Sequence, residues 1–381
     1  MKTNKLNYNI IFFASFILIW FAVTIYNFFK PVSDFSENEN RYLAKFPKAE
    51  VSTILDGTYM NDIENYINDR FVARDFWISM QSVLQYASGK RENNGVYICS
   101  DKSGTGALIS KLNGPNDAYI DKNIAAINRF IDVTGLPATL MVVPSASSIQ
   151  SYKLPPFASP WDEKAVIDRI YSDVKAGCLS VYETLSAHKD EYIYYRTDHH
   201  WTTFGASLAY KAYCEYVGLK PAEFTATEVS KSFNGTLYSS SGVRFIKSDT
   251  INAYKYSGKA TCIINDGTKQ TERDSIYFDE FLDKKDKYAY FLGQNQPVIT
   301  VTGEAGGGKL LIFKDSYAHC MAPMLLENYS EITLVDLRYI NKSFDRYFNI
   351  GDYDRVLFLY SIDSFVNYDD IGRLTLVESG K

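Results

Sequence analysis

Two of the chain's four histidines stand beside a carboxylate in Tyr194-Tyr195-Arg196-Thr197-Asp198-His199-His200-Trp201-Thr202-Thr203. Far downstream, Lys314-Asp315-Ser316-Tyr317-Ala318-His319 places a serine just after a short apolar run. Serine is a weak nucleophile until a base takes its proton, and the base works best when an acidic group holds it in one tautomer. Asp198, His200 and Ser316 are the residue types for those three roles. If the chain stays extended from the strand-like run 192–195 through Asp198, alternate side chains share a face. Asp198 then pairs with His200, while His199 and Trp201 point the other way as packing groups. An Asp-His pair alone is more often structural than catalytic. The distant serine is what raises it to a candidate site.

The elements around these residues set where they stand. Residues 309–313 (Lys-Leu-Leu-Ile-Phe) read as a strand covered on both faces, and 318–328 as the following helix, with Pro323 as a point of kinking. Ser316 then lies at the carboxyl end of a strand and the amino end of a helix, where α/β proteins place their chemistry. The run 203–217 predicts a helix that supports the Asp-His-His-Trp segment and stops at Gly218. Upstream, a strand at 96–98, a helix at 119–134, a buried strand at 138–143 and a helix at 165–176 follow in turn. The Pro144-Ser145-Ala146-Ser147-Ser148 loop occupies a ligand-binding position, and its serines are rival nucleophiles, although a serine-rich loop is usually only a loop. Two further strands, at 332–335 and 355–360, complete an alternation that implies a parallel sheet with right-handed crossovers. Residues 224–297 break the pattern and read as a β-rich insertion bordering a substrate groove.

One motif points elsewhere. Gly303-Glu304-Ala305-Gly306-Gly307-Gly308-Lys309 matches the opening of a nucleotide-binding P-loop. Leu310 stands where the magnesium-binding Ser or Thr belongs, and a strand follows instead of a helix. Without a helix amino terminus there is no phosphate cradle, so the segment reads as a glycine-rich turn between strands.

Residues 10–29 are twenty mostly apolar positions, preceded by Lys2 and Lys5 and closed by Lys30-Pro31. Twenty helical residues span about 30 Å, the thickness of a bilayer core. No Ala-x-Ala site follows, so the segment reads as an uncleaved single-pass anchor with a cytoplasmic start, and everything after Pro31 is expected outside the cytoplasm. The expected organisation is a cytoplasmic start and anchor at 1–30, a linker and helical region at 31–91, and the α/β domain at 92–381. A net charge of −5 with no long basic run argues against nucleic acid as a partner. The five cysteines are scattered and form no cluster of zinc-site spacing, so neither a metal nor another cofactor is called for. Thirty tyrosines fit a carbohydrate ligand, since aromatic rings stack on sugar faces, although such richness is often only compositional.

Asp-His-His-Trp with Gly205, Lys-Asp-Ser-Tyr, and Val335-Asp336-Leu337-Arg338-Tyr339 resemble the bacterial DHHW proteins. Those are similar in turn to the SGNH-hydrolase-like proteins that O-acetylate alginate and other exported polysaccharides. The resemblance extends to Glu39-Asn40-Arg41-Tyr42-Leu43-Ala44-Lys45-Phe46-Pro47 and to 66–75, and so covers nearly everything after the first thirty residues. It implies an SGNH-hydrolase-like parallel sheet flanked by helices. It implies Asp198 and His200 as acid and base of an Asp-x-His-Trp motif and Ser316 as the nucleophile. Arg338, and with it Tyr317, becomes a candidate substrate-binding or oxyanion group. The order Asp-His before Ser is that of the alginate group and the reverse of ordinary SGNH hydrolases. The implied activity is O-acetylation of a polysaccharide or cell-wall glycan through an acyl-serine, served by a membrane-bound acyltransferase partner that hands over the acetyl group. A carbohydrate acetylesterase and a non-catalytic glycan-binding or scaffold protein are the alternatives.

Overall fold

A computed structural model describes residues 2–30, 33–36, 38–39, 41–100 and 106–376. Contacts divide the chain into two units, Met1–Lys90 with Gly242–Arg244, and Arg91–Ser241 with Phe245–Lys381. The first unit holds the helix Lys2–Phe29, followed by the helices Thr58–Asp69 and Arg74–Ala87. Within it Tyr8–Asn27 has a mean hydropathy of 2.1 and is wholly unburied. Among the described residues it is the one helix long and apolar enough to cross a membrane.

The second unit is built on a sheet of eight strands: β1 (Ala138–Val143), β2 (Gly177–Cys178), β3 (Thr261–Asn265), β4 (Gln270–Arg273), β5 (Val298–Thr302), β6 (Lys309–Lys314), β7 (Glu331–Val335) and β8 (Arg355–Ser361). Their spatial order is β4-β3-β5-β7-β6-β8-β1-β2. The five strands from β7 to β2 run parallel, whereas β5, β3 and β4 pair antiparallel along the other side. The expectation of a parallel sheet therefore holds for its helix-connected part. Two of the three antiparallel strands, β3 and β4, come from the 224–297 segment, which also carries the paired strands Ala226–Phe233 and Asp249–Tyr254. The strand at Val96–Cys99 lies apart from the main sheet, in a small antiparallel sheet with Glu92–Asn93 and Ala107–Ser110.

Alternation along the parallel strands feeds two cores. Leu310, Ile312, Leu357 and Leu359 face one, while Leu311, Phe313, Val356 and Phe358 face the other. Helix α1 (Asp117–Thr134) covers the second face with Ile120, Ile124, Ile127 and Phe130, spaced at three and four residues. Phe130 meets Phe313 edge to face at 5.1 Å, and full burial of a side chain of this size stabilises by about 1.5–3 kcal/mol. The helix starts where the Asn116 side chain accepts from Ala118 N and Tyr119 N, and ends at left-handed Gly135. Helix α2 (Glu163–Asp173) adds Ile167 and Ile170 to the same core, and α3 (Thr203–Tyr216) packs Ala206, Ala209, Tyr210 and Tyr213 into the first.

The glycine-rich segment 303–308 is a turn, as expected, but it does not join neighbours, because β7 lies between β5 and β6. Its course past the start of β7 needs glycine: a Cβ on Gly307 would stand 1.9 Å from the Asn328 carbonyl oxygen.

Candidate active site

Ser316 follows β6 directly. The strand is flanked by β7 and β8 and ends at Lys314. Asp315 then shapes the turn, one carboxylate oxygen accepting from Tyr317 N at 3.0 Å and the other from Ser361 N at 2.8 Å and Ser361 Oγ at 2.6 Å. The end of β8 is thereby tied to the turn that presents Ser316. The long helix expected after it is absent. Ser316–Cys320 is a 3₁₀ turn and Ala322–Leu325 one short helix, because Pro323 has no N–H and is accommodated only at a helix start. Ser316 therefore has a strand end beneath it, with no helix of any length to lend a dipole.

Asp198 and His200 come together, though not by alternation along a strand. Tyr194 pairs antiparallel with Trp201, so the chain reverses tightly between them. Within the reversal Asp198 Oδ1 accepts both His200 N at 3.0 Å and His200 Nδ1 at 2.5 Å, a local Asp-turn that folds the imidazole onto the carboxylate. The other oxygen, Oδ2, accepts from Thr236 N at 2.8 Å and Thr236 Oγ1 at 3.1 Å. Burial opposes ionisation of Asp198, yet the two adjacent histidines and these hydrogen bonds outweigh it and hold the carboxyl far below the usual range. Against an ionised Asp198, His200 Nδ1 must carry the proton, which leaves Nε2 as an acceptor. Ser316 Oγ lies 2.6 Å from Nε2 and donates to it. A hydroxyl with its proton directed at an imidazole, itself held by a carboxylate, is the arrangement that acyl transfer through serine requires.

The two loops are stitched together in both directions. Trp201 Nε1 donates to the Tyr317 carbonyl at 3.0 Å, and the Tyr317 hydroxyl donates to the His199 carbonyl at 2.5 Å. Tyr317 lines the cavity beside Ser316, but its hydroxyl proton is spent on this brace and is not offered to an oxyanion. Trp201 is fully buried, as a packing group should be. His199 is not: its side chain is 38% exposed and lines the cavity, its ring 3.9 Å from that of His200, with Nδ1 at 2.7 Å from Thr236 Oγ1. The reversal puts both rings on one side, where an extended strand would have separated them. The protein packed around the ring, then the neighbouring His200, pull the His199 imidazole down against the opposing pull of Asp198, and solvent at the exposed part of the ring weakens the effect.

Three residues that hold this arrangement carry no motif. Tyr288 stacks its ring on His200 at 4.0 Å and 12°, and its hydroxyl donates to the Ser316 carbonyl at 3.2 Å. Asp249, wholly buried, accepts from Arg196 N and Thr197 N, both at 2.8 Å, from Thr197 Oγ1 at 2.5 Å, and from the Tyr192 hydroxyl. Thr236 braces Asp198. All three belong to 224–297, so the segment read as a border of the groove supplies the supports of the acid-base loop. No local signal marks them, because each acts across 28 residues or more of sequence.

The cavity over Ser316 has a volume of about 360 Å³, within the range of small-ligand sites. Apolar groups such as Leu108, Ile109 and Leu337 form part of its wall. On the side of Asp336, a buried ion network stands: Asp336 is held by Lys314 Nζ at 3.2 Å and, in a two-pronged contact, by Arg338 Nε at 2.8 Å and Nη2 at 2.6 Å. Lys314, completely buried, also donates to His319 Nε2 at 2.7 Å and Asn295 Oδ1 at 3.2 Å. Arg338 lines the cavity with 38% of its side chain exposed. The Ser145–Ser147 loop lines it too, but Ser145 and Ser147 are hydrogen-bonded to buried Glu163, at 2.5 and 3.2 Å, so neither hydroxyl is paired with a histidine. Asp198, His199 and His200 bring possible metal-ligand atoms within 4.8 Å of one another. A cation there would have to break the hydrogen bonds that join Asp198, His200 and Ser316, so the donor set is already committed to one another.

An eight-stranded, mostly parallel sheet flanked by helices, with a serine at a strand end, defines an SGNH-hydrolase-like α/β protein. The sequence profile of the DHHW family, described as DHHW protein, matches residues 112–335, more than half of the chain, and the chain belongs to that family. Among solved structures, a DHHW family protein from Eubacterium siraeum is similar at 26% identity and a TM-score of 0.65, over 76% of this chain and 98% of its own. PatB1 of Bacillus cereus, solved with a sulfonyl adduct, is similar at 18% identity and a TM-score of 0.60, over 73% and 98% of the two chains. The O-acetyltransferase domain of Pseudomonas putida AlgJ is more distant, at 14% identity and a TM-score of 0.48, over 74% and 98%. A comparison with curated protein sequences gives no match.

Proposed function

We propose that the protein is an O-acetyltransferase of a polysaccharide or cell-wall glycan, anchored by its amino-terminal helix with the α/β unit outside the cytoplasm. The observation that carries this reading is the continuous hydrogen-bonded line from Ser316 Oγ through His200 to Asp198, opening into a cavity. In the proposed reaction Ser316 Oγ attacks the acetyl carbonyl of the donor as His200 Nε2 takes its proton. The C–O bond formed gives a tetrahedral oxyanion, which collapses by expelling the donor's leaving group, protonated from His200. A sugar hydroxyl then attacks the acyl-Ser316, yields its proton to His200, and releases the serine, which recovers that proton. Asp198 keeps Nδ1–H directed and stabilises the imidazolium at each stage. The choice of acetyl rests on the motif resemblance, and so does the membrane-bound acyltransferase that would supply it outside the cytoplasm.

The test uses the full chain in detergent or nanodiscs, with acetyl release from a small aryl acetate and acetyl transfer to short oligosaccharides as readouts. Ser316→Ala, His200→Ala and Asp198→Asn are each expected to fold normally and to lose roughly 10³- to 10⁶-fold of turnover, far from additively. Wild-type rates in Ser316→Ala would remove the nucleophile from this reading. Hydrolysis without any transfer would make the protein an acetylesterase, and glycan binding with neither reaction would leave a non-catalytic glycan-binding protein.

A further inference from the structure

The helix Arg74–Ala87 turns a stripe of large apolar side chains away from the body it packs on. Ser82 is buried and donates to the Gly242 carbonyl at 3.1 Å, and a Cβ on Gly242 would stand 2.8 Å from the Ile78 side chain, so 78 and 82 face inward within the same unit. Phe76, Trp77, Met80, Val83 and Leu84 recur at three- and four-residue steps on the opposite side. At about 100° per residue they occupy about 120° of the helix circumference, centred across from Ile78 and Ser82. Phe76, Trp77, Val83 and Leu84 are 49% to 63% exposed. Large apolar side chains gathered on one outward face mark an interaction surface, where scattered ones would not.

What covers the stripe follows from what it is tied to. Lys30 closes the amino-terminal apolar helix, its N–H donating to Tyr26 O at 2.9 Å, and its Nζ donates to the Phe71 carbonyl at 3.3 Å. The next carbonyl, that of Val72, accepts from Trp77 Nε1 at 3.1 Å, and the Trp77 ring meets Phe76 edge to face at 5.4 Å. Two hydrogen bonds and one peptide step therefore connect the end of the apolar helix to the first two rings of the stripe. Lys30 lies three residues past the span Tyr8–Asn27, about 4.5 Å at 1.5 Å per residue. The headgroup layer on each side of the hydrocarbon core is about 5–8 Å deep, so the start of the stripe stands at headgroup depth. An indole with its N–H satisfied and its ring half exposed suits that layer. The helix carries one basic and one acidic residue, Arg74 and Asp75, so its charge does not call for anionic lipid.

We propose that the stripe from Phe76 to Leu84 lies in the headgroup interface of the bilayer that the amino-terminal helix crosses, as a second, lateral membrane contact. This rests on the anchor part of the proposed function and is independent of the acyl-transfer chemistry. The chain that follows the anchor is then held to the membrane along about 12 Å of helix as well as at the crossing itself.

The experiment places the full chain in phosphatidylcholine nanodiscs whose acyl chains are plain, brominated near the headgroups, or brominated deep in the core, since bromine quenches any tryptophan it reaches. Trp20, inside the apolar helix, reports the anchor, and Trp20→Phe is expected to remove most of the quenching by deep bromine. In that background, bromine near the headgroups is expected to cut the Trp77 emission by about half or more. Adding Trp77→Phe is expected to abolish this quenching, and Leu84→Trp, introduced into the double variant, to bring it back. Adding anionic phosphatidylserine is expected to leave the quenched fraction unchanged. All variants are expected to unfold at the wild-type temperature, because the side chains changed are half exposed or lie in lipid. If Trp20 is quenched while neither Trp77 nor the Leu84→Trp variant is, the lateral contact is overturned and the anchor stands. Quenching of Trp77 without quenching of the Leu84→Trp variant overturns the placement of the stripe along the surface. If Trp77 is unquenched and Leu84→Asp separates paired copies into single ones, a second copy of the chain covers the stripe and the lipid contact is overturned. If Trp20 also escapes quenching, the anchor reading fails and the lateral contact falls with it.

Discussion

Ser316 stands on a strand that is flanked on both sides and buried on both faces, whereas Asp198 and His200 stand in a reversal whose backbone is held by side chains from distant parts of the chain. The serine side is secured mainly by the sheet and by Asp315, the serine's immediate neighbour. The acid-base side is secured by Asp249, Thr236 and Tyr288, all in the segment least regular in sequence. Sheet hydrogen bonds position a residue through many small contributions, so losing one is tolerated. A loop braced by a few buried polar groups has little such redundancy, because each brace satisfies several buried donors at once.

That contrast predicts an asymmetry in what single substitutions do. Asp249→Ala strips the acceptor from two backbone N–H groups and two hydroxyls at once. Each donor left buried and unsatisfied costs about 1–3 kcal/mol, so a loss of about 3 kcal/mol or more is expected in urea unfolding, together with near-complete loss of aryl acetate turnover. Ser361→Ala, its counterpart on the serine side, removes one hydroxyl that donates to Asp315 and accepts weakly from Ser364 N at 3.3 Å, and leaves the Ser361 N–H contact with Asp315 in place. About 1 kcal/mol is expected there, and equal losses from the two would erase the asymmetry.

Gly235→Ala probes the same loop by crowding. A Cβ at this position would lie 2.3 Å from both Cβ and Oδ2 of Asp198, so the carboxylate must move. Turnover is expected to fall about 10- to 100-fold, since misplacement by about 1 Å suffices for such a loss, while the unfolding midpoint shifts little compared with Asp249→Ala. Retention of wild-type kcat would show that Asp198 tolerates displacement.

The smallest expected effect belongs to His199. Its imidazole is held below its ordinary value of 6.5, so as the pH falls below that value the unfolded chain binds the proton more readily than the folded chain does. Stability from this group is present above about pH 6.5 and is lost as the pH falls toward 4. His319, buried against Lys314 and likewise pulled down, adds a contribution of the same sign. His199→Gln is expected to keep turnover within a few-fold and to flatten the fall in unfolding midpoint between pH 7 and pH 4, without abolishing it. An unchanged pH profile would mean that His199 titrates normally.

The sequence by itself determined four of the five parallel strands, all but the two-residue β2, the helix on each side of the sheet, and the identity of the residues that meet. Alternating and continuous apolar runs report local burial, and β6, β8 and α1 depend on little else. Asp198 and His200 were legible as a pair, but the extended geometry that suggested it is not the one that forms it. A two-residue spacing also brings side chains together in an Asp-turn, which is why the pairing survives and the place of His199 does not. The helix after Ser316 failed because Pro323 lets a helix begin but not continue through it. Only the tertiary structure decided which distant groups hold the acid-base loop, that Tyr317 spends its hydroxyl on the His199 carbonyl, and that among the described residues nothing meets the buried Tyr360 hydroxyl. Those facts rest on single hydrogen bonds, made or left unmade, between residues far apart in the chain. A side chain's type says that it can donate or accept, but which partner it meets is fixed only when the fold brings the two within 3 Å or so of each other.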